Sequence, residues 1–287
     1  MSYLARITQS APTAIVLLVD RSGSMVEPIC WNGTTCTKAE AVATAINTLL
    51  SELIARTRRA NGYLPYYDIA VLGYSGSEVR SLLPTVGSDH FMTPELLADN
   101  PVEVAEVQRT RTLPDGRQVT TLMREKRWVR AAAEWNTPMV AAFHEAHALL
   151  RGWCGRHKGQ PCYPPTVINI TDGEATDGTP EQLAAATQKL RALETADGAV
   201  LLLNIHLSGS EAQPILFPSS EEEMPENRYA RLLYRISSPM PVLYRDEIAL
   251  LRGRSSTEIP RGMGFNTNMT DLVRMMNIGT ATSTLLL

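Results

Sequence analysis

Asp20, Ser22 and Ser24 stand two residues apart in DRSGS, directly after the continuous apolar run AIVLLV at 14–19. A carboxylate and two hydroxyls at that spacing can aim their oxygens at one point, with Gly23 letting the backbone turn tightly between them. An all-oxygen set favours a hard cation such as Mg²⁺ or Mn²⁺. A strand end running into a Ser/Gly turn looks the same, so the triplet alone decides nothing. Two further stretches add to it. Thr137, in WNTPM ahead of the helical pattern MVAAFHEAHALL, is expected to be an N-cap with Pro138 at the first helical position, which would hold its hydroxyl at a helix mouth. TVINITDGE, at 166–174, reads as a second apolar strand ending at Asp172, with Gly173 for the turn. Two strand-end aspartates, two serines and one threonine then share one sheet edge.

The elements that must position them follow from the patterning. The run at 14–19 is continuous rather than alternating, as in a strand buried on both faces of a parallel sheet. Ligands bind at the carboxyl edge of such sheets. The expected fold is therefore α/β, a doubly wound, mostly parallel central sheet with helices on both faces. Further strands are expected at 66–73, at 77–83, at 199–207 and, as the last edge strand, at 260–268. Thr37 and Glu40 form a capping box for a helix ending near Asn61-Gly62, and Thr179, Pro180 and Gln182 open another. Thr270 is expected to cap the final helix, and a short amphipathic helix follows the acidic loop Glu221-Glu222-Glu223, read as solvated. The loop VEPICWNGTTC at 26–36 is expected to lack regular structure because of Pro28 and Gly33; it is either a rim that shapes partner access, with Trp31 as a contact, or a surface loop with one partly buried tryptophan. The closing TATSTLLL reads as a loose tail.

Between 102 and 130, Leu113-Pro114-Asp115-Gly116 separates two strand-like runs, which signals an inserted β-hairpin. Arg109, Arg111, Arg117, Arg124, Lys126, Arg127 and Arg130 outnumber Glu103, Glu106, Asp115 and Glu125 there. Such an arm is either a solvated ribbon or a surface that recruits an acidic segment.

Other chemistries fit less well. Gly73-Tyr74-Ser75-Gly76-Ser77 is one residue short of a G-x-S-x-G nucleophile elbow, and EVRSLL after it reads as extended rather than helical. His144, His147, Cys154, His157 and Cys162 cluster in sequence, but C-x₂-H-x₄-C matches no strong zinc template. The net charge of −3 gives no reason to expect nucleic acid or an anionic membrane surface as partner. Neither a signal-type apolar run at 1–13 nor a stretch of about 18 apolar residues is present, so the expected location is cytoplasmic. Cys30, Cys36, Cys154 and Cys162 form two local pairs that do not by themselves imply secretion.

D-x-S-G-S, a lone Thr before Pro, and T-D-G at a later strand end resemble, taken together, the von Willebrand factor A domain and its metal-ion-dependent adhesion site. The resemblance covers most of the chain, from about residue 11 to the last helix. It implies a Rossmann-like von Willebrand A fold in a single domain over 1–287, with the hairpin at about 102–130 as an insert and 210–287 as a C-terminal extension. It also implies that Asp20, Ser22, Ser24, Thr137 and Asp172 are the metal residues. The ion is expected to be Mg²⁺, with Mn²⁺ or Ca²⁺ as alternatives, and an open coordination position would accept a carboxylate from a partner. In place of the usual Gly-x-Thr stands Glu134-Trp135-Asn136-Thr137, so the approach to the threonine can differ. TDGEATDGTP is similar to bacterial cytoplasmic proteins of the tellurium-resistance type, which are associated with a protein phosphatase and a Ser/Thr kinase.

Two functions of different class follow. The first is a non-enzymatic, metal-dependent interaction module that takes a partner's Asp or Glu and acts as a scaffold or regulator in a stress, defence or phospho-signalling system. The alternative is a Mg²⁺-dependent phosphatase or phosphotransferase using Asp20, or a hydrolase using Ser75. A secreted adhesin is a third reading, opposed by the missing leader.

Overall fold

The computed structural model describes residues 3–31, 34–84, 90–112, 117–209, 213–254 and 257–280. The hairpin turn at 113–116 and the tail at 281–287 lie outside the described residues.

In chain order, strand β1 (Thr13–Asp20) leads through a 3-10 turn at Gly23–Val26 to β2 (Pro28–Trp31), β3 (Thr34–Thr37) and helix α1 (Lys38–Thr57). Two short strands, β4 (Arg58–Arg59) and β5 (Gly62–Tyr63), precede β6 (Tyr67–Ser75), β7 (Glu78–Ser81) and α2 (Pro94–Asp99). The arm is β8 (Glu103–Thr112) and β9 (Gln118–Arg127). Then come α3 (Met139–Arg156), β10 (Thr166–Thr171), α4 (Pro180–Arg191), β11 (Leu201–Leu207), β12 (Ile215–Leu216), α5 (Arg228–Ile236), α6 (Arg245–Arg252), β13 (Met263–Thr267) and α7 (Met269–Thr280).

The central sheet has the order β12-β13-β11-β10-β1-β6-β7. Its five inner strands are parallel, and β12 and β7 run antiparallel at the two edges. All eight residues of β1 are buried, and its six apolar residues alternate between two cores. Ile15, Leu17 and Val19 pack with α1, α2, α6 and α7, while Ala14, Val16 and Leu18 pack with α3, α4 and α5. This two-sided burial is why the run reads as unbroken. The chain leaves β1 for β6 on one side and later returns for β10 on the other, so strand order reverses between β1 and β10. That is the switch point at which open α/β sheets form their binding crevice. The expected doubly wound architecture and inserted hairpin are both present.

Several local expectations are corrected. The segment at 26–37 is a β-hairpin, pairing Pro28 with Thr37 and Trp31 with Thr34. Pro28 is tolerated as the first residue of an exposed strand, and Asn-Gly between the strands is a turn signal rather than a breaker. α1 ends at Thr57, where the chain enters the β4–β5 ribbon, and not near Asn61-Gly62. The last strand is not at the edge, because β12 pairs outside it. The final helix is capped by Asn268, whose Oδ1 accepts from Asp271 N at 2.9 Å, rather than by Thr270. The acidic loop is paired rather than merely solvated: Glu221 binds Arg235, and Glu223 binds Arg252 at 2.8 Å and also Arg254.

Candidate metal centre

Asp20 ends β1 at the reversal point and is 1% exposed. Its Oδ1 accepts from Ser22 N at 2.8 Å and its Oδ2 from Thr171 Oγ1 at 2.7 Å. Thr171 is the last residue of β10, so the first carboxylate is fixed by both strands flanking the crevice. Burial pushes the Asp20 carboxyl up to about 6, and the hydrogen bonds from Thr171 and Ser22 work against that rise.

Beyond Asp20 the oxygens form a chain. Ser22 Oγ lies 3.1 Å from Ser24 Oγ, and Ser24 Oγ donates to Asp172 Oδ1 at 2.7 Å. The 3-10 turn over Gly23–Val26, anchored by buried Met25, brings the second hydroxyl round to Asp172. The other oxygen of Asp172, Oδ2, accepts from Lys38 Nζ at 2.9 Å, and the same ammonium reaches Glu27 Oε2 at 2.5 Å. The side chains of Lys38 and Asp172 are 5% and 1% exposed, so this is a buried ion pair. Burial alone would lower the Lys38 pKa; its bonds to Asp172 and Glu27 outweigh that, and the ammonium is held above its ordinary value.

Thr137 is buried between these loops. Gly23 N donates to Trp135 O at 3.0 Å, while Thr137 N donates to Thr176 Oγ1 at 2.9 Å and Thr137 O accepts from Thr176 N at 3.0 Å. The threonine segment is thus stitched to the Asp20 loop on one side and to the Asp172 loop on the other. Thr137 is not the N-cap of α3. The helix begins at Met139, and Asp177 caps it from the neighbouring loop, Oδ1 accepting from Val140 N at 3.0 Å and Oδ2 from Ala141 N at 2.8 Å. A carboxylate suits the positive helix end better than a hydroxyl does, and Thr137 Oγ1 is relieved of capping. Gly178 allows this docking, because a Cβ there would come within 2.9 Å of Val140.

The sequence did not reveal three other neighbours. Tyr229 of α5 is buried and donates through its hydroxyl to Gly173 O, next to Asp172. His206 of β11 pairs with Thr171 in register and stacks on Phe265 with ring centroids 4.5 Å apart. Burial lowers its pKa to about 4, so it is neutral at physiological pH. Lys38 is the third. Signals for all three exist only in strand pairing and helix packing. At the rim, Trp135 is 87% exposed and Val26 59%.

The remaining candidates lie apart from these oxygens. Ser75 donates to Glu134 Oε2 at 3.1 Å, Glu134 also holds Arg80 at 2.8 Å, and β7 rather than a helix follows. Cys162 is buried, and His157 stacks on Trp153 at 4.1 Å. Among the described residues no group of three His, Cys, Asp or Glu side chains is placed to hold a metal. Any cation at the sheet edge would therefore depend on hydroxyl oxygens beside the two aspartates.

No protein-family model and no curated protein sequence matches this chain. Among solved structures it is similar to a von Willebrand factor type A protein from Catenulispora acidiphila, at 15% identity and a TM-score of 0.41, over 84% of this chain and 42% of that one. It is also similar to BatB from Bacteroides thetaiotaomicron, at 14% identity and a TM-score of 0.40, over 93% and 98%. A third is the vWF domain of the type V pili tip protein Mfa5 from Porphyromonas gingivalis, at 13% and 0.33, over 58% and 39%. The chain spans less than half the length of the first and third of these proteins. Similarity at this level concerns the fold alone, which the chain's own strand order displays. No helix among the described residues is long and apolar enough to cross a membrane.

Proposed function

We propose that this protein is a metal-dependent interaction module with an adhesion site of the von Willebrand A type. In this reading Asp20, Ser22, Ser24, Thr137 and Asp172 hold a Mg²⁺ ion that coordinates an Asp or Glu carboxylate of a partner protein. The observation that carries it is the spacing of the oxygens. Neighbouring ligands of an octahedral Mg²⁺ with bonds of about 2.1 Å lie about 3 Å apart, and the steps from Ser22 to Ser24 and from Ser24 to Asp172 are 3.1 and 2.7 Å. The donors are hard oxygens throughout, as this ion prefers. The ion would supply the Lewis-acidic contact. The protein's own groups fix the loops, shield the carboxylates and present Trp135 and Val26 as an apolar rim against which a partner can close.

The role that fits is a scaffold or regulator rather than a catalyst, since Ser75 is bound to Glu134 and His206 is stacked on Phe265. The setting we propose is a bacterial cytoplasmic stress or defence system of the tellurium-resistance kind, with a protein phosphatase or Ser/Thr kinase as partner class. The test is capture of partners from native lysate in Mg²⁺ and in chelator, using wild type, Asp20→Ala and Thr137→Ala. Partners lost on chelation and in both variants support the reading, and partners retained through all three treatments refute it.

A further inference from the structure

Lys38 occupies an unusual place. It is the first residue of α1, where the helix dipole disfavours a cation, and its side chain is 5% exposed, which lysine tolerates only when paired. Two devices fix it there. The β2–β3 hairpin runs directly into the helix, and the Thr37–Glu40 capping box closes the first turn, with Thr37 Oγ1 accepting from Glu40 N at 3.1 Å. Neither device requires a buried ammonium. What holds the ammonium is the pair of carboxylates, Asp172 at 2.9 Å and Glu27 at 2.5 Å.

The consequence lies in the charge offered to a divalent ion. Both oxygens of Asp172 are engaged, one by Ser24 and the other by Lys38. Lys38, shared with Glu27, offsets part of the Asp172 charge, whereas Asp20 forms no ion pair among the described residues. We infer that Lys38 is a tethered cation that competes with Mg²⁺ for Asp172. Through Glu27 and Asp172 it ties the loop that follows β1 to the loop that follows β10 when no metal is bound, and it sets the metal affinity lower than the donor set alone would. The inference rests on the metal reading above and adds an internal competitor to it. A unit charge this close to a partly shielded ion changes affinity by roughly tenfold or more.

The experiment is a calorimetric titration of Mg²⁺ into the chelator-stripped full chain, as wild type, Lys38→Gln and Lys38→Arg. Glutamine keeps a polar tip for the two carboxylates without the charge, whereas arginine keeps the charge. Lys38→Gln should bind Mg²⁺ at least about tenfold more tightly than wild type while melting at a lower temperature in chelator, and Lys38→Arg should bind as wild type does. Equal or weaker binding by Lys38→Gln overturns the inference and leaves the metal reading standing. No uptake by any form overturns both. Uptake by Lys38→Gln alone supports the competitor and removes the metal from the wild-type protein. A measurement on wild type needs no variant to fold. Lys38 is one of four lysines, and its side-chain ¹⁵N signal should be protected in chelator and should move when Mg²⁺ saturates. A signal indifferent to Mg²⁺ overturns the inference.

Discussion

Asp20→Asn should make the metal-free protein more stable at neutral pH. The Asp20 carboxyl titrates at about 6 in the fold against an ordinary value of 3.8, burial being the main cause. A shift of about two pH units corresponds to about 3 kcal/mol at 1.36 kcal/mol per unit. The sign follows from linkage: an acid whose folded pKa is raised binds more protons in the native state, so its favourable contribution is complete below pH 4 and is lost as pH rises through 6. Above pH 6 the native state carries a buried charge that it would hold more cheaply as an amide. Asparagine can keep the contact with Ser22 N through its carbonyl oxygen. Thr171 Oγ1 can turn to accept from the amide, because it also has Gly173 O to donate to at 3.0 Å. Urea unfolding in chelator should place Asp20→Asn above wild type by up to about 3 kcal/mol at pH 7.5, narrowing towards zero at pH 4, and Mg²⁺ should stabilise wild type only. A variant less stable than wild type in chelator, or a difference that does not change between pH 4 and 7.5, would refute this account of the site.

Asp177→Ala removes the cap that α3 takes from the next loop and should cost about 1 kcal/mol in urea unfolding; it should also weaken Mg²⁺ uptake, because Thr137 lies two residues before the helix. Unchanged uptake would separate the cap from the site. Asn47→Ala removes the clamp at the base of the arm, where Asn47 Oδ1 accepts from Trp128 N at 2.8 Å and Val129 N at 3.0 Å, and Nδ2 donates to Val129 O at 2.9 Å. It should cost about 2–3 kcal/mol at roughly 1 kcal/mol per bond, with faster amide exchange through β8 and β9; an arm as protected as in wild type would count against it. Trp135→Ala, at an exposed side chain, should leave stability within about 0.5 kcal/mol and cut partner capture by roughly tenfold or more, as loss of an exposed aromatic anchor does.

Asp20 and Asp172 were legible because each follows a run of residues buried on both faces and is the first charged residue at the sheet edge. The capping boxes at Thr37 and Thr179 were legible for a similar reason, as both partners lie within one turn. Interactions that reach across the fold leave misleading local forms. Thr137 before Pro138 has the local form of a cap, but the capping carboxylate is Asp177, 37 residues from Val140. Glu221 and Glu223 have the form of a solvated acidic run until α5 and α6 bring Arg235 and Arg252 to them. The 26–37 hairpin has the composition of an irregular loop, because proline breaks regular structure except where, as at Pro28, it begins an exposed strand.

Lys38 shows why donors are easier to read than affinity. The oxygens of a site come from residue types at short spacings, and short spacings survive in sequence. Charge balance comes from whichever side chains the tertiary fold delivers, and Lys38 reaches Asp172 across 134 positions. Two chains with the same five oxygen donors can thus differ in whether the cation is free or tethered. The oxygen spacing is set by the strand ends and the Gly23–Val26 turn, whereas the ammonium is set by the hairpin that leads into α1. If the site takes a metal as proposed, changes in that hairpin should tune its affinity without touching any proposed ligand.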